Sequence, residues 1–317
     1  MSGIAVAVTG AAGFLGRALT PALRDDPRVD RVVATDLTPG ATEGVEWVAA
    51  DVRDRSLTDV FSGVDVVVHL AFVVLGDMRL ADDINVRGSA NVFEAAANAG
   101  CRRLVHASSV AAYGYGIDGR LLTEDDALRP LEAFPYSRTK GAAERALDDV
   151  AARHPGLEVT RLRPALILGP RNHDFLETIS GRRALIRPGR HAGALQFVHV
   201  DDVVEGFRLA TLGGATGAFN IAGGGSVSWS ELAEIAGKRL VTVPYAAARA
   251  FAGAAARVRP NLGLDAGWVM ISQRPPIVAT DRAERELGWR PTRSSREAIE
   301  GFLRGADALS TTRTGGT

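Results

Sequence analysis

The sequence has a single cysteine, Cys101, which excludes an internal disulfide and fits a reducing, cytoplasmic setting. It has no excess of charge of either sign: Lys plus Arg and Asp plus Glu each number 37. That balance argues against a nucleic acid or an acidic membrane as partner. Long hydrophobic runs are also missing. The longest, such as "VDVVVHLAFVVL", covers about a dozen residues and contains His69, short of the roughly 20 that a membrane helix needs. No basic stretch or small-residue cleavage site accompanies the opening "IAVAVTG", so no targeting segment is expected. The histidines show no metal-ligand spacing, and no metal site is expected. In "FVHVDD", His199 reads as structural, and Asp201 and Asp202 read as helix-capping residues. No G-x-S-x-G elbow is present, which argues against a serine hydrolase.

What is present is an ordinary globular balance, 46% apolar and 23% charged over 317 residues. That length suits one large domain or two interlocked ones. Short β-branched runs at 4–9, 31–36, 45–50, 64–71, 103–109 and 158–164 alternate with Ala-rich helical stretches at 14–24, 56–62, 79–99 and 136–153. Strands that read as unbroken apolar runs are buried on both faces. Alternation with helices then implies right-handed crossovers and a parallel, doubly wound α/β sheet of the Rossmann type. The second half is less regular, with Gly/Pro-rich loops at 169–194 and 213–226. It is expected to form a smaller α/β lobe over the carboxyl edge of the sheet, where such folds bind ligands. The tail at 311–317 is polar and Gly-rich and is expected to fray.

The first strand runs into "TGAAGFLG", with Gly10, Gly13 and Gly16 in a G-x-x-G-x-x-G spacing. A turn that tight lets backbone N–H groups approach a pyrophosphate, and the helix opening at Phe14 and Leu15 adds its positive end. Asp36 closes the second strand, where a carboxylate accepts hydrogen bonds from both adenosine ribose hydroxyls and repels a 2′-phosphate. Leu37 and Thr38 follow it without positive charge, so NAD is favoured over NADP. Asp51 and Val52, at the end of the third strand, are placed beside the adenine. Leu70 and Ala71 in "HLA" lie beside the pyrophosphate and ribose, and Asn85 sits on the helix that follows.

"FPYSRTKGAAERAL" places Tyr136 and Lys140 one turn apart on a helix. An ammonium near the phenol favours the phenolate and lowers a pKa that starts near ~10. The hydroxyl can then give or take a proton. Lys140 can also bond the nicotinamide ribose. Ser109, at the end of the fifth strand in "HASSVAAYG", is the candidate to hold a substrate oxygen.

Together "TGAAGFLG", "ADVRD", "HLA", "NVRGSAN", "SSVAAYG", "YSRTK", "LRPALILGP", "QFVHVDDVV", "FNIAGG" and "LGWRPT" resemble the extended short-chain dehydrogenase/reductases, the NAD-dependent epimerase/dehydratase group, from residue 4 to about 304. The resemblance implies that Ser109, rather than Ser108, is the catalytic serine, and that Tyr136 and Lys140 are the catalytic tyrosine and lysine. It assigns Pro164, Ala165, Leu166 and Ile167 to the wall around the nicotinamide amide. It also implies an NAD-binding domain of residues 1–168, with segments at about 197–204 and 218–222 returning to it. The substrate lobe would then comprise 169–196 and about 223–310. A homodimer through helices 79–99 and 136–153 is implied as well.

Departures from the family pattern narrow the reaction. Nucleotide-sugar dehydratases of this family carry Thr-Asp-Glu where this chain has Ser109, Val110 and Ala111, which argues against 4,6-dehydration. Many UDP-sugar enzymes place an arginine where this chain has Leu195 and Gln196, and losing a bidentate phosphate contact is not a mild change. Arg171, Arg187, Arg190 or Arg274 could still hold a sugar nucleotide. The candidate pocket leans apolar, with Phe72, Val73, Val74, Leu75, Trp268, Val269 and Met270, and with His173 and His191 as polar options. Such a pocket suits a ketone or secondary alcohol on a small hydrophobic frame. The expected activity is NAD-dependent hydride transfer. A sugar or nucleotide-sugar epimerase with retained NAD is the alternative, and a non-catalytic NAD-binding regulator is a weaker third reading.

Overall fold

The computed structural model describes residues 3–74, 80, 82–170, 184–258 and 266–314. Its centre is a seven-stranded parallel sheet flanked by helices. The strands are β1 (Ile4–Thr9), β2 (Val29–Asp36), β3 (Glu46–Ala49), β4 (Val66–His69), β5 (Arg103–Ala107), β6 (Glu158–Pro164) and β10 (Gly217–Ile221), in the spatial order β10-β6-β5-β4-β1-β2-β3. Alternation along each strand divides its side chains between two cores. Val6, Val8, Val66 and Val68 join Leu19, Leu23, Val203 and Phe207 on one face. Ala7, Val67 and Leu104 join Val92, Phe93, Leu147 and Val150 on the other. This two-sided burial is why these strands read as unbroken apolar runs.

Helix α1 (Phe14–Arg24) and α5 (Val200–Leu212) cover the first face. The second face carries α3 (Ser89–Asn98), which continues a π-helical stretch at Asp82–Gly88, and α4 (Pro135–Arg153). A short α2 (Leu57–Val60) follows β3. Proline at the first turn of α4 fits its start, since that N–H has no helical partner to lose.

The stretches 169–194 and 213–226, expected as loops, both contain strands. β8 (Ala184–Pro188) pairs in parallel with β11 (Arg239–Val243), a partner 55 residues away that only the folded chain brings near. β10 completes the main sheet beside β6. β9 (Phe197–His199) pairs with β7 (Leu166–Leu168) in a separate two-stranded sheet. A third core forms around Leu168, Leu185, Phe197, Leu232, Ile299 and Phe302, joining these pairs to α6 (Trp229–Ile235) and α9 (Ser295–Thr314). Helices α7 (Tyr245–Val258) and α8 (Ala266–Ile271) pack on each other. No helix among the described residues is long and apolar enough to cross a membrane.

Candidate active site

The glycine turn is a backbone cradle. Gly10 holds φ at +71°, and a side chain there would meet the Ala71 backbone nitrogen at 2.5 Å. A Cβ on Gly16 would lie 2.3 Å from the Gly10 carbonyl oxygen, so α1 starts as close to β1 as backbone packing permits. The N-cap of α1 is Gly13, which offers no side chain to its N–H groups. Those groups and the helix dipole are therefore available to an anion. Asp36 accepts from the Ala12 N–H at 3.0 Å through one oxygen and from the Leu37 N–H at 2.8 Å through the other. The carboxylate is thereby fixed against the glycine turn, with lone pairs left for ribose hydroxyls. The cradle fits a dinucleotide: a bare helix end for phosphates and an acceptor beyond it for the ribose.

Ser109 is not the last residue of a strand. β5 ends at Ala107, and Ser109 is the N-cap of a 3₁₀ turn, Val110–Tyr113, with its Oγ accepting from the Ala111 N–H at 3.1 Å. From that cap its hydroxyl acts on the Tyr136 phenol in the direction that favours ionisation. Tyr136 lies in an aromatic box. Phe72 meets it edge-on at 5.9 Å, Phe134 lies at 5.9 Å, and Trp268 stacks on it at 5.5 Å.

The lysine does not lower the phenol's pKa as its spacing implies. Burial pushes the Tyr136 hydroxyl above its ordinary value, and the Ser109 hydroxyl offsets only part of this. Lys140 is turned towards the sheet. Its Nζ donates to the Ala107 carbonyl at 2.6 Å and sits 3.4 Å from the Phe72 ring centroid, against 5.8 Å for the Tyr136 ring. Burial pulls the Lys140 pKa down to about 7, with Glu144 opposing that shift.

Other candidate residues are occupied in ways the sequence did not reveal. Both Asp51 oxygens accept from Arg53, which also pairs with Asp83. Asn85 is fully buried; its amide accepts from the Val73 N–H at 2.7 Å and donates to the Val73 carbonyl at 2.9 Å. It straps down the segment carrying Phe72. The carbonyl of Val52 is bonded by Asn91. Pro164 ends β6, the Ala165 N–H bonds Ile221, and Leu166 and Ile167 begin β7, so this segment is held on both sides. Leu70 is tied through its N–H to Thr9. His199, rather than the aspartates after it, caps α5, while Asp202 Oδ1 accepts from both the N–H and the hydroxyl of Thr292. Leu75, Arg171 and His173 lie outside the described residues.

Two features escaped sequence reading. Phe134, immediately before α4, completes the box, and its only signal was an aromatic residue beside the Tyr-x-x-x-Lys pair. Glu144 bonds Ser108 and Arg163 in the interior, and its signal was a carboxylate one turn beyond Lys140.

The chain is 32% identical over 255 residues to a UDP-glucose 4-epimerase from Mycolicibacterium smegmatis, covering 71% of this chain and 79% of the relative. It is 37% identical over 210 residues to sterol demethylase protein B from Methylococcus capsulatus, covering 62% of each. Among solved structures, MoeE5 in complex with UDP-glucuronic acid and NAD superposes with a TM-score of 0.75 at 28% identity, over 96% of this chain and 99% of that one. The model of the NAD dependent epimerase/dehydratase family matches residues 6–222. That span runs from β1 through β10 and takes in the whole parallel sheet, so the chain belongs to the NAD dependent epimerase/dehydratase family, among the extended short-chain dehydrogenase/reductases.

Proposed function

We propose that the protein is an NAD-dependent oxidoreductase that interconverts a secondary alcohol and a ketone on a small, rather apolar substrate. The observation that carries this reading is the Ser109–Tyr136 hydroxyl pair inside a box of Phe72, Phe134 and Trp268. Bound NAD would supply hydride exchange at the carbonyl carbon. Gly10, Gly13, Gly16 and the α1 N-terminus would hold its phosphates, and Asp36 its adenosine ribose. In the reducing direction Tyr136 delivers a proton to the substrate oxygen, and Ser109 orients that oxygen by a hydrogen bond. A phenol held above its ordinary pKa is fully protonated at neutral pH, the form a proton donor needs. Lys140, one turn along the same helix, would hold the nicotinamide ribose. The segment carrying α8 would cover the substrate, with Trp268 as its contact to Tyr136.

An apolar substrate is supported from two sides. Gln196, where many UDP-sugar relatives have a phosphate-binding pattern, is buried, and its amide is spent on both backbone groups of Val278. The likeness to a protein named for sterol demethylation points the same way. One observation favours epimerisation of a nucleotide sugar instead. Arg274, Arg120 and His191 line a cleft of about 730 Å³, although Ser109, Tyr136 and Lys140 do not. Arg120 is already held by Asp126, and Arg274 lies over the Tyr115 ring.

The test is absorbance at the reduced-nicotinamide band with a panel of ketones, secondary alcohols and sugar nucleotides. Net cofactor turnover with the apolar members supports the proposal. Conversion of a sugar nucleotide without net turnover assigns the epimerase, and NAD binding without either reaction assigns a regulator.

A further inference from the structure

The Glu144 carboxylate is almost completely buried one turn beyond Lys140 on α4. It accepts from the Ser108 hydroxyl at 2.5 Å and takes a two-pronged contact from Arg163 on β6, at 2.9 and 2.7 Å. Arg163 in turn donates to the Tyr113 hydroxyl at 2.8 Å. Ser108 and Tyr113 bracket Ser109, so both ends of the serine's segment are pinned to the helix that carries Tyr136 and Lys140. An ion pair this deep is weak evidence for stability, because desolvation offsets much of its attraction. Its location gives it another use. We infer that Glu144 is a positioning residue: locked by Arg163 and Ser108, it supplies the negative charge that keeps the Lys140 ammonium protonated between the Ala107 carbonyl and the Phe72 ring.

The charged and titratable groups around Lys140 support this. Tyr136 and Glu144 lie on its own helix. His69 on β4 and His106 on β5 are both fully buried and held neutral, first by burial and then by the Lys140 charge. Arg161 on β6 reaches Glu144 at 3.4 Å. Glu144 is thus the one anion in this set. Burial opposes its charge, but Arg163, Ser108 and Arg161 outweigh that and hold it below the usual carboxylate range. It acts on Lys140 in the direction that retains the proton. The purpose of the charge rests on the reading of Lys140 as the cation of the cofactor site; the charge relation itself does not.

Lys140 and Lys238 are the only lysines in the sequence. Protein labelled with ¹³C-lysine therefore gives two Cε resonances, each with its own titration. Neither substrate nor cofactor is needed, so failure of the proposed reaction would leave this result standing. In Glu144→Gln the Lys140 midpoint is expected to fall by about one pH unit or more, with Lys238 unmoved. If that variant does not fold, Glu144→Gln/Arg163→Gln removes both charges and leaves neither stranded; a smaller downward shift is expected, because losing the Arg163 cation offsets part of losing the carboxylate. Ser108→Ala keeps the charge and should leave the midpoint in place. An unmoved Lys140 midpoint in either glutamate variant overturns the inference. So does an equal shift in Ser108→Ala, which would assign the effect to packing.

Discussion

The indole of Trp268 stacks on the phenol of Tyr136, with ring centroids 5.5 Å apart and planes tilted by 28°. Trp268 belongs to α8 and Tyr136 to the first turn of α4, so a segment distant in sequence forms one wall of the hydroxyl pair. Phe134 touches the same indole at 4.9 Å. Removing it opens the box without touching the glycine cradle. Trp268→Ala is expected to raise the substrate KM at least ~10-fold, the scale of ~1.4 kcal/mol for one lost aromatic contact. Its Kd for NAD should stay within about threefold of wild type. Loss of NAD binding equal to the loss of substrate binding would show that the indole does not line the substrate side.

Tyr136→Phe keeps the ring, and with it the contacts to Phe72, Phe134 and Trp268, and removes only the hydroxyl. A positioned general acid contributes roughly 10²–10⁴-fold. Turnover should therefore fall at least ~100-fold while NAD titration is nearly unchanged. Steady-state kinetics beside fluorescence titration separates the two. Unchanged turnover removes Tyr136 from the chemistry.

Much of this was legible in the sequence, for a physical reason. Central strands buried on both faces must be apolar at nearly every position, and "VVVH" or "IAVAVT" states that directly. Strand ends were less legible. β4 stops at His69, whose ring bonds Thr9 and Ser89, and the chain then turns away beneath Gly10. The β8–β11 pair was invisible because its partners are short and distant. At the site, residue type and spacing placed Ser109 and Tyr136 on neighbouring elements. They could not show that Asn85 is bonded to the Val73 backbone, or that Lys140 leans towards Ala107 and Phe72. Side-chain direction depends on which backbone groups lack partners, and a single sequence does not record that.

Asp36 would have two tasks, holding the backbone N–H groups of Ala12 and Leu37 and, on the proposed reading, presenting oxygen to a ribose. Asp36→Asn retains an acceptor for the first task and removes the charge that repels a 2′-phosphate. NAD affinity is expected to drop and NADP affinity to rise or hold, so that their ratio shifts at least ~10-fold towards NADP. Isothermal titration with both cofactors measures this. Equal changes for both would leave Asp36 with a purely structural role.

Gly16→Ala tests the cradle itself. A methyl group there would meet the Gly10 carbonyl at 2.3 Å and the Ala11 backbone at 2.6 Å, and backbone cannot move aside as a side-chain tip can. The helix start must shift away from β1. The expected result is loss of NAD binding by ~10-fold or more, together with a lower melting temperature of the cofactor-free protein. Normal binding and normal melting together would show that α1 does not pack as closely as described.

Lys140 makes a prediction about pH. Its ordinary value is 10.5, and burial lowers it in the folded protein to about 7. Between those values the unfolded chain holds a proton that the folded chain has released. By linkage, the Lys140 contribution to stability therefore rises with pH across this window. Below about 7 the full cost of a buried ammonium is present. Lys140→Met carries no such charge, so the variant should melt higher than wild type at pH 6. The gap should narrow as pH approaches 9.5. His69 and His106 do not disturb the comparison, because burial holds both neutral throughout that range. Tyr136, raised above its ordinary 10.0, does not yet ionise there. Paired thermal melts of the cofactor-free proteins at half-unit pH steps supply the measurement. A gap that stays constant from pH 6 to 9.5 would mean that Lys140 titrates outside this window and that its ammonium is not desolvated by the Phe72 and Ala107 contacts.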